Sequence, residues 1–251
     1  MSARSRRGRP AAPAVTFSGP PHHLTSLVTL PGGVQRRVAV EARVEGAEVE
    51  RLSVRPLTRE GAAIGRVRIR LPRSTPPGTY EGLVRIAGQE VPFVAQVEPR
   101  ENVDADPSRL SLEVEPGAEA NVGLTLLNRG NVPFELPVAS QFCIFDDGGV
   151  DRAFWHALGS DPPEGKERID VLLDDLAESH GGLVEVRARA PKRTIQPGES
   201  GEAQVALRFS DRLRPGRTYS GAWDADGLHL SIAVAVPELK RAARRTARAA
   251  R

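Results

Sequence analysis

Seven residues near position 80, Pro76-Pro77-Gly78-Thr79-Tyr80-Glu81-Gly82, recur 139 positions later as Pro215-Gly216-Arg217-Thr218-Tyr219-Ser220-Gly221, with one proline fewer and Arg217 added. No other feature of the chain constrains its folding as much. Each copy leads into an alternating run. Leu83, Arg85, Gln89, Val91, Phe93, Ala95 and Val97 come after the first; Ala222, Leu228, Leu230, Ile232, Val234 and Val236 come after the second. Each run stops at a proline, Pro99 or Pro237. A turn signal, a Tyr on a strand, a short loop and a closing strand spell the last hairpin of a β-sandwich. Two such endings predict two sandwiches in tandem, an all-β fold.

The 251 residues accommodate two domains of ordinary size. Hydrophobic residues make up 39% and aromatics only 4%, so the expected core is Val, Leu, Ile and Ala. The net charge of +3 is unevenly spread. Arg4, Arg6, Arg7 and Arg9 crowd one end, and Lys240, Arg241, Arg244, Arg245, Arg248 and Arg251 the other. The single cysteine, Cys143, forbids an intrachain disulfide. The first residues have the charge of a secretory signal without its apolar stretch, and no run reaches the ~20 apolar residues of a membrane helix. A cytoplasmic protein without a transmembrane segment is expected.

Taken in order, residues 1–14 read as a disordered basic tail. The first sandwich is expected over 15–99, with clean alternation in Val38–Val44 and Val67–Leu71 that leaves one face apolar and the other charged. A polar linker comes next at 100–107. The second sandwich, 108–237, includes Asn128-Arg129-Gly130-Asn131, read as a corner in which Asn and Gly tolerate positive φ. A helical hairpin is expected inside it at about 149–180. Val150, Phe154, Ala157 and Leu158 share one helical face. A second helix, capped by Asp161-Pro162-Pro163, places Ile169, Leu172, Leu173 and Leu176 on one stripe and stops at Gly181. Residues 238–251 form a basic Ala/Arg tail.

Pro77-Gly78-Thr79-Tyr80-Glu81-Gly82, Pro215-Gly216-Arg217-Thr218-Tyr219-Ser220-Gly221 and the Asn128-Arg129-Gly130-Asn131 corner resemble tandem bacterial immunoglobulin-like (Ig-like) modules of the cell-adhesion-related and NPCBM-associated type, over about 15–99 and 106–237 apart from the helical insertion. The resemblance implies β-sandwiches that serve as spacers or binding units.

Signatures of chemistry are sparse. Cys143, Asp146 and His156 are close in sequence and could be imagined as a thiol dyad with an orienting carboxylate, but Phe142-Cys143-Ile144-Phe145 reads as a buried strand in which cysteine acts as a small hydrophobe. His22-His23 lacks a third ligand at metal-site spacing. Asp224-Ala225-Asp226-Gly227 reads as a hairpin turn rather than a calcium loop. No cofactor and no reaction class is implied. The reading is a non-enzymatic adaptor or scaffold that binds a protein partner. Phe154, Trp155 and His156 on the first helix are the candidate contacts, since an exposed Trp is a common interface anchor. Arg241, Arg244, Arg245 and Arg248 add electrostatic attachment, or alternatively make this a nucleic-acid-associated protein that binds through its tails.

Overall fold

The computed structural model describes residues 15–29, 40–59, 62–86 and 89–238. The tail residues 1–14 and 239–251, including Arg241, Arg244, Arg245 and Arg248, lie outside them. Strands dominate, and the chain divides into two compact units: residues up to Arg100 together with 129–132, and Glu101–Asn128 together with Pro133 onward.

The first unit holds β1 (Val15–Gly19), a 3-10 turn (Pro21–His23), β2 (Leu24–Thr29), β3 (Val40–Val44), β4 (Arg51–Arg59), β5 (Ala62–Arg70), β6 (Gly78–Ile86) and β7 (Gln89–Val97). They pair in the order β3-β6-β7-β1-β2-β5-β4. β1 runs parallel to β7 over five residue pairs and touches β2 antiparallel at Ser18 and Thr25. Alternation sends Phe17, Leu24, Val67, Ile69, Phe93 and Ala95 into the core. There the rings of Phe17 and Phe93 meet edge to face at 5.0 Å. The opposite parity places arginines outside, and the β4–β5 register sets Arg51 opposite Arg70 and Arg55 opposite Arg66.

The second unit contains β8 (Val103–Asp106), β9 (Arg109–Glu113), β10 (Glu119–Asn128), β11 (Phe134–Glu135), β12 (Ala139–Asp146), β13 (His180–Arg189), β14 (Thr194–Ile195), β15 (Ser200–Arg208), β16 (Thr218–Ala225) and β17 (Leu228–Ala235). Helices α1 (Gly149–Gly159) and α2 (Arg168–Ser179) lie between β12 and β13. The ladder β16-β12-β13-β15-β10-β8-β17 closes on itself because β17 also pairs with β16, and β9 adds to β17. Leu126, Ile144, Val184, Leu207, Trp223 and Leu230 fill its core.

Several expectations need correction. The segment expected as a linker at 100–107 contains β8, whose Val103 and Ala105 are buried. Two apolar residues spaced by two are enough to make a strand among acids. Cys143 is exposed, not core. Phe142 and Ile144 take the inward positions of β12, so strict alternation turns the residue between them outward. In the Asn-rich corner, Asn128 and Asn131 work through side-chain hydrogen bonds. Asn128 Nδ2 donates to the Ile195 carbonyl. Asn131, in the first unit, donates to the carbonyls of Thr75 and Glu98 and accepts from the Arg100 N–H. The hairpin turn at Asp226-Gly227 has positive φ at both residues, 38° and 81°.

The repeated motif has the same two functions in each unit. Its tyrosine hydroxyl ties back to the preceding turn: Tyr80 Oη donates to the Pro76 carbonyl at 2.8 Å, and Tyr219 Oη accepts the Arg214 N–H at 3.0 Å. Its last glycine lets the neighbouring strand come close. A Cβ on Gly82 would sit 2.5 Å from the Arg43 carbonyl oxygen and from the Phe93 ring, and one on Gly221 2.5 Å from the Cys143 carbonyl oxygen.

Candidate functional site

The helical hairpin departs most from strand logic. Asp146 ends β12, and Gly148 with a φ of 70° turns the chain into α1. Gly149, Ala153 and Ala157 form the buried ridge of that helix. A Cβ on Gly149 would lie 2.6 Å from Cβ of Ser179, so only glycine allows the start of α1 to approach the end of α2 this closely. α2 begins at Arg168, later than Asp161-Pro162-Pro163 suggests. Glu167 is its N-cap, and a reciprocal pair with Asp170 satisfies the first-turn amides.

Burial by small residues leaves the large ones outside. Val150, Phe154 and Leu158 succeed one another at i, i+4 and i+8 along α1, with Phe154 48% and Leu158 63% exposed. Trp155 beside them is 77% exposed. On α2, Val171 is buried while Ile169 and Leu173 are exposed and Leu172 and Leu176 half-buried. The apolar stripes read from the sequence therefore point largely outward, Ala157 excepted. Periodicity identifies the stripe but cannot say which side of it the fold covers.

Charged pairs fix the hairpin at its base. Asp146, only 9% exposed, accepts from Arg152 Nη2 at 2.7 Å and from Arg217 Nη1. Arg214 Nη1 reaches Glu178 Oε1 at 2.7 Å, and this bond holds the Glu178 carboxyl below its usual range. His156 Nδ1 lies 2.6 Å from Asp175 Oδ2, linking the two helices. Gly149, Arg152, His156, Asp175, Glu178 and Arg217 line a cavity of about 450 Å³. From 149 to 180 there are eight acids and three bases, a net charge of −5 with histidines neutral. Phe154, Trp155 and His156, the contacts expected from the sequence, lie on α1, while Gly149, Arg152 and Arg217 beside them carry no such expectation. Those three act through a glycine contact and a carboxylate shared across 71 positions, for which local spacing carries no signal.

The imagined thiol arrangement is not assembled. Cys143 faces outward on β12, Asp146 is held by two arginines, and His156 pairs with Asp175. His22 receives a hydrogen bond from Arg100 Nη1, 2.7 Å from Nε2. Burial first, then the positive charges of Arg100, Arg73, His23 and Arg70, lower its pKa below the usual imidazole value. Among the described residues no group of three or more His, Cys, Asp or Glu is arranged to hold a metal ion. The β16–β17 hairpin sets Asp224 opposite His229, which brings together one further arrangement: Asp224 Oδ1 is 2.6 Å from His229 Nδ1, and Ser231 Oγ is 3.4 Å from His229 Nε2. Asp224 and His229 are well exposed, and the Ser231 N–H is already donated to the Ser108 carbonyl. The trio therefore lacks the enclosed site and the oxyanion donor that acyl transfer uses.

No family model matches the chain, and no curated protein does. Among solved structures, a protein of unknown function from Porphyromonas gingivalis W83 is similar over 88% of this chain and 96% of its own, at 10% identity and a TM-score of 0.25. A three-domain Ig fragment of titin, I67–I69, is similar over 91% of this chain and 63% of its own, at 10% identity and a TM-score of 0.31. An endo-fucoidan hydrolase of glycoside hydrolase family 107 is matched over 90% of this chain and 28% of that one, at 6% identity and a TM-score of 0.25. Likenesses this loose transfer no property to the chain. No helix among the described residues is long and apolar enough to cross a membrane.

Proposed function

We propose that this protein is a non-enzymatic adaptor, built from two tandem Ig-like β-sandwiches, that docks another protein on the helical hairpin inserted in the second. Strand order supports the sandwich reading. In the first unit β1-β2-β5-β4 and β3-β6-β7 can be grouped as the four plus three strands of an Ig domain, joined through β1 and β7; in the second, β8-β10-β15-β13 and β12-β16-β17 group in the same way, joined through β12 and β13 and through β8 and β17, with β9 added to β17. The hairpin then connects the third and fourth strands of its sandwich. With one cysteine, and that one exposed, the fold relies on no disulfide and suits a cytoplasmic setting.

The single observation carrying the docking role is the uncovered apolar ridge of α1, with Phe154 and Trp155 at its centre. A helix that buries alanine and glycine while exposing Phe, Trp, Leu and Val reverses the usual arrangement of an amphipathic helix. Exposed apolar surface rimmed by polar groups marks interaction sites. The acidic surroundings select a partner segment with an apolar anchor and a basic fringe. Nuclease-treated affinity capture with the full chain and with a Phe154→Ser/Trp155→Ser variant tests the reading. A partner that purified components reconstitute at submicromolar affinity, and that the variant loses, supports it. Equal capture by both proteins, or capture that vanishes on nuclease treatment, rejects it.

A further inference from the structure

We propose that the outer face of β2, β5 and β4 in the first unit binds the phosphate backbone of duplex nucleic acid, independently of base sequence. Arg51 and Arg55 on β4 and Arg66, Arg68 and Arg70 on β5 all belong to the parity opposite to the buried Val67 and Ile69. The register sets Arg51 opposite Arg70 and Arg55 opposite Arg66, with Arg68 between them opposite Ser53. Next to β5, the facing residues of β2 are Thr25 opposite Arg68 and Leu27 opposite Arg66. Among the described residues no carboxylate lies within ion-pair distance of any of these five arginines, so none of their charges is neutralised within the sheet.

Like charges directly opposite on neighbouring strands oppose folding. A sheet that keeps two such pairs, and a fifth cation between them, is arranged for an anion that arrives later. The field extends past the sheet, since Arg70, Arg73 and Arg100 all disfavour a proton on His22. Alternate residues on a strand are roughly 7 Å apart and neighbouring strands about 4.8 Å apart. The guanidiniums thus cover a compact patch suited to consecutive phosphates, which duplex DNA presents at about one charge per 1.7 Å of axis. Arginine's planar fork fits phosphate oxygens two at a time. Thr25, Leu27, Thr29, Ser53, Leu57 and Ile64 share the face, and among its described side chains none is an aromatic ring. Binders of single strands rely on such rings to stack bases. The duplex backbone is therefore the better fit, and nothing on the face distinguishes one base pair from another.

Fluorescence anisotropy of a labelled 24-base-pair DNA duplex with the full chain tests this over a salt series. Three proteins are compared: wild type, Arg66→Thr/Arg68→Thr/Arg70→Thr, and a tail variant with Arg241, Arg244, Arg245 and Arg248 changed to Ser. Circular dichroism melts confirm that all are folded. Wild type should bind two unrelated duplexes equally, losing on the order of a few hundred-fold in affinity from 50 to 200 mM salt for four to five phosphate contacts. The face variant should lower the slope of log K against log salt by about 2.7, near 0.9 per lost contact. A folded face variant with wild-type affinity and slope overturns the proposal, as does loss of binding in the tail variant alone. Wild-type binding to anionic vesicles or heparin without binding to duplex also overturns it.

Discussion

The phenol oxygen of Tyr219 accepts the backbone N–H of Arg214 at 3.0 Å, closing the turn that the repeated motif begins. Tyr219 is buried, whereas Tyr80, which makes the corresponding bond to Pro76 in the first unit, is only partly so. Deleting one hydroxyl should therefore have unequal effects. Tyr219→Phe is expected to lower unfolding free energy by about 1 kcal/mol, because the part-buried Arg214 amide loses its acceptor. Tyr80→Phe should change it by less than about 0.5 kcal/mol. Urea titrations of the two variants measure both.

Gly149→Ala should loosen the hairpin. The added methyl would meet Ser179 at 2.6 Å, and overpacking of this kind costs about 1–3 kcal/mol. Hydrogen exchange should quicken in α1 and α2 and stay unchanged in β4 and β5. Adding Ser179→Gly removes the opposing carbon, so the double variant should recover protection in α1. A strictly additive double variant would refute the contact.

The two tryptophans make a matched pair. Trp155→Ala should leave stability within about 0.5 kcal/mol of wild type, since the side chain is mostly in solvent. Trp223→Ala, at the centre of the second core, should cost about 3–5 kcal/mol. Thermal melts distinguish them, and only Trp155 should quench readily with acrylamide.

Acid should weaken the first unit through His22. Its native pKa lies below that of the unfolded chain, so the unfolded chain takes up protons first. Above the ordinary imidazole range neither state is protonated there and His22 contributes no pH dependence. As the pH falls below about 6.5, the unfolded state is favoured, until the depressed native value is passed. The urea midpoint should fall more between pH 7.5 and 5.5 in wild type than in His22→Gln.

Relief of charge crowding is expected at Arg55 and Arg66. Replacing either with Thr should raise stability by a few tenths of a kcal/mol, more at low salt than at high. Melts at 20 and 300 mM salt would show the difference shrinking. Together with weaker duplex binding, that result would mean that stability is sacrificed on this face for affinity.

The strands are the most legible part of the sequence, because alternation and turn chemistry act locally. Val67, Ile69 and Leu71 announce their inward face, and Tyr219-Ser220-Gly221 repeats the logic of Tyr80-Glu81-Gly82. The hairpin is harder to read. The stripe of Val150, Phe154 and Leu158 looks like a core face, yet the adjacent ridge of Gly149, Ala153 and Ala157 is the one that packs. Small residues permit close approach without raising apparent hydrophobicity. Cys143 misleads for the opposite reason: its neighbours are so apolar that they mask the parity of the strand. The arginine face needs the register, since Arg51 and Arg70 become neighbours only once β4 and β5 are paired.

The parallel pairing of β1 with β7 and of β9 with β17 has a mechanical meaning. β1 lies alongside β7 over five consecutive pairs, and β9 alongside β17 over five more. Tension applied at the start of β1 and the end of β7, or at the start of β9 and the end of β17, pulls these partners past each other along their length. All the rungs of the ladder then bear load together, instead of opening one at a time as they would if peeled from an edge. A pull along either pair is thereby resisted by the whole ladder at once, and the two strands separate only when that one clamp gives way.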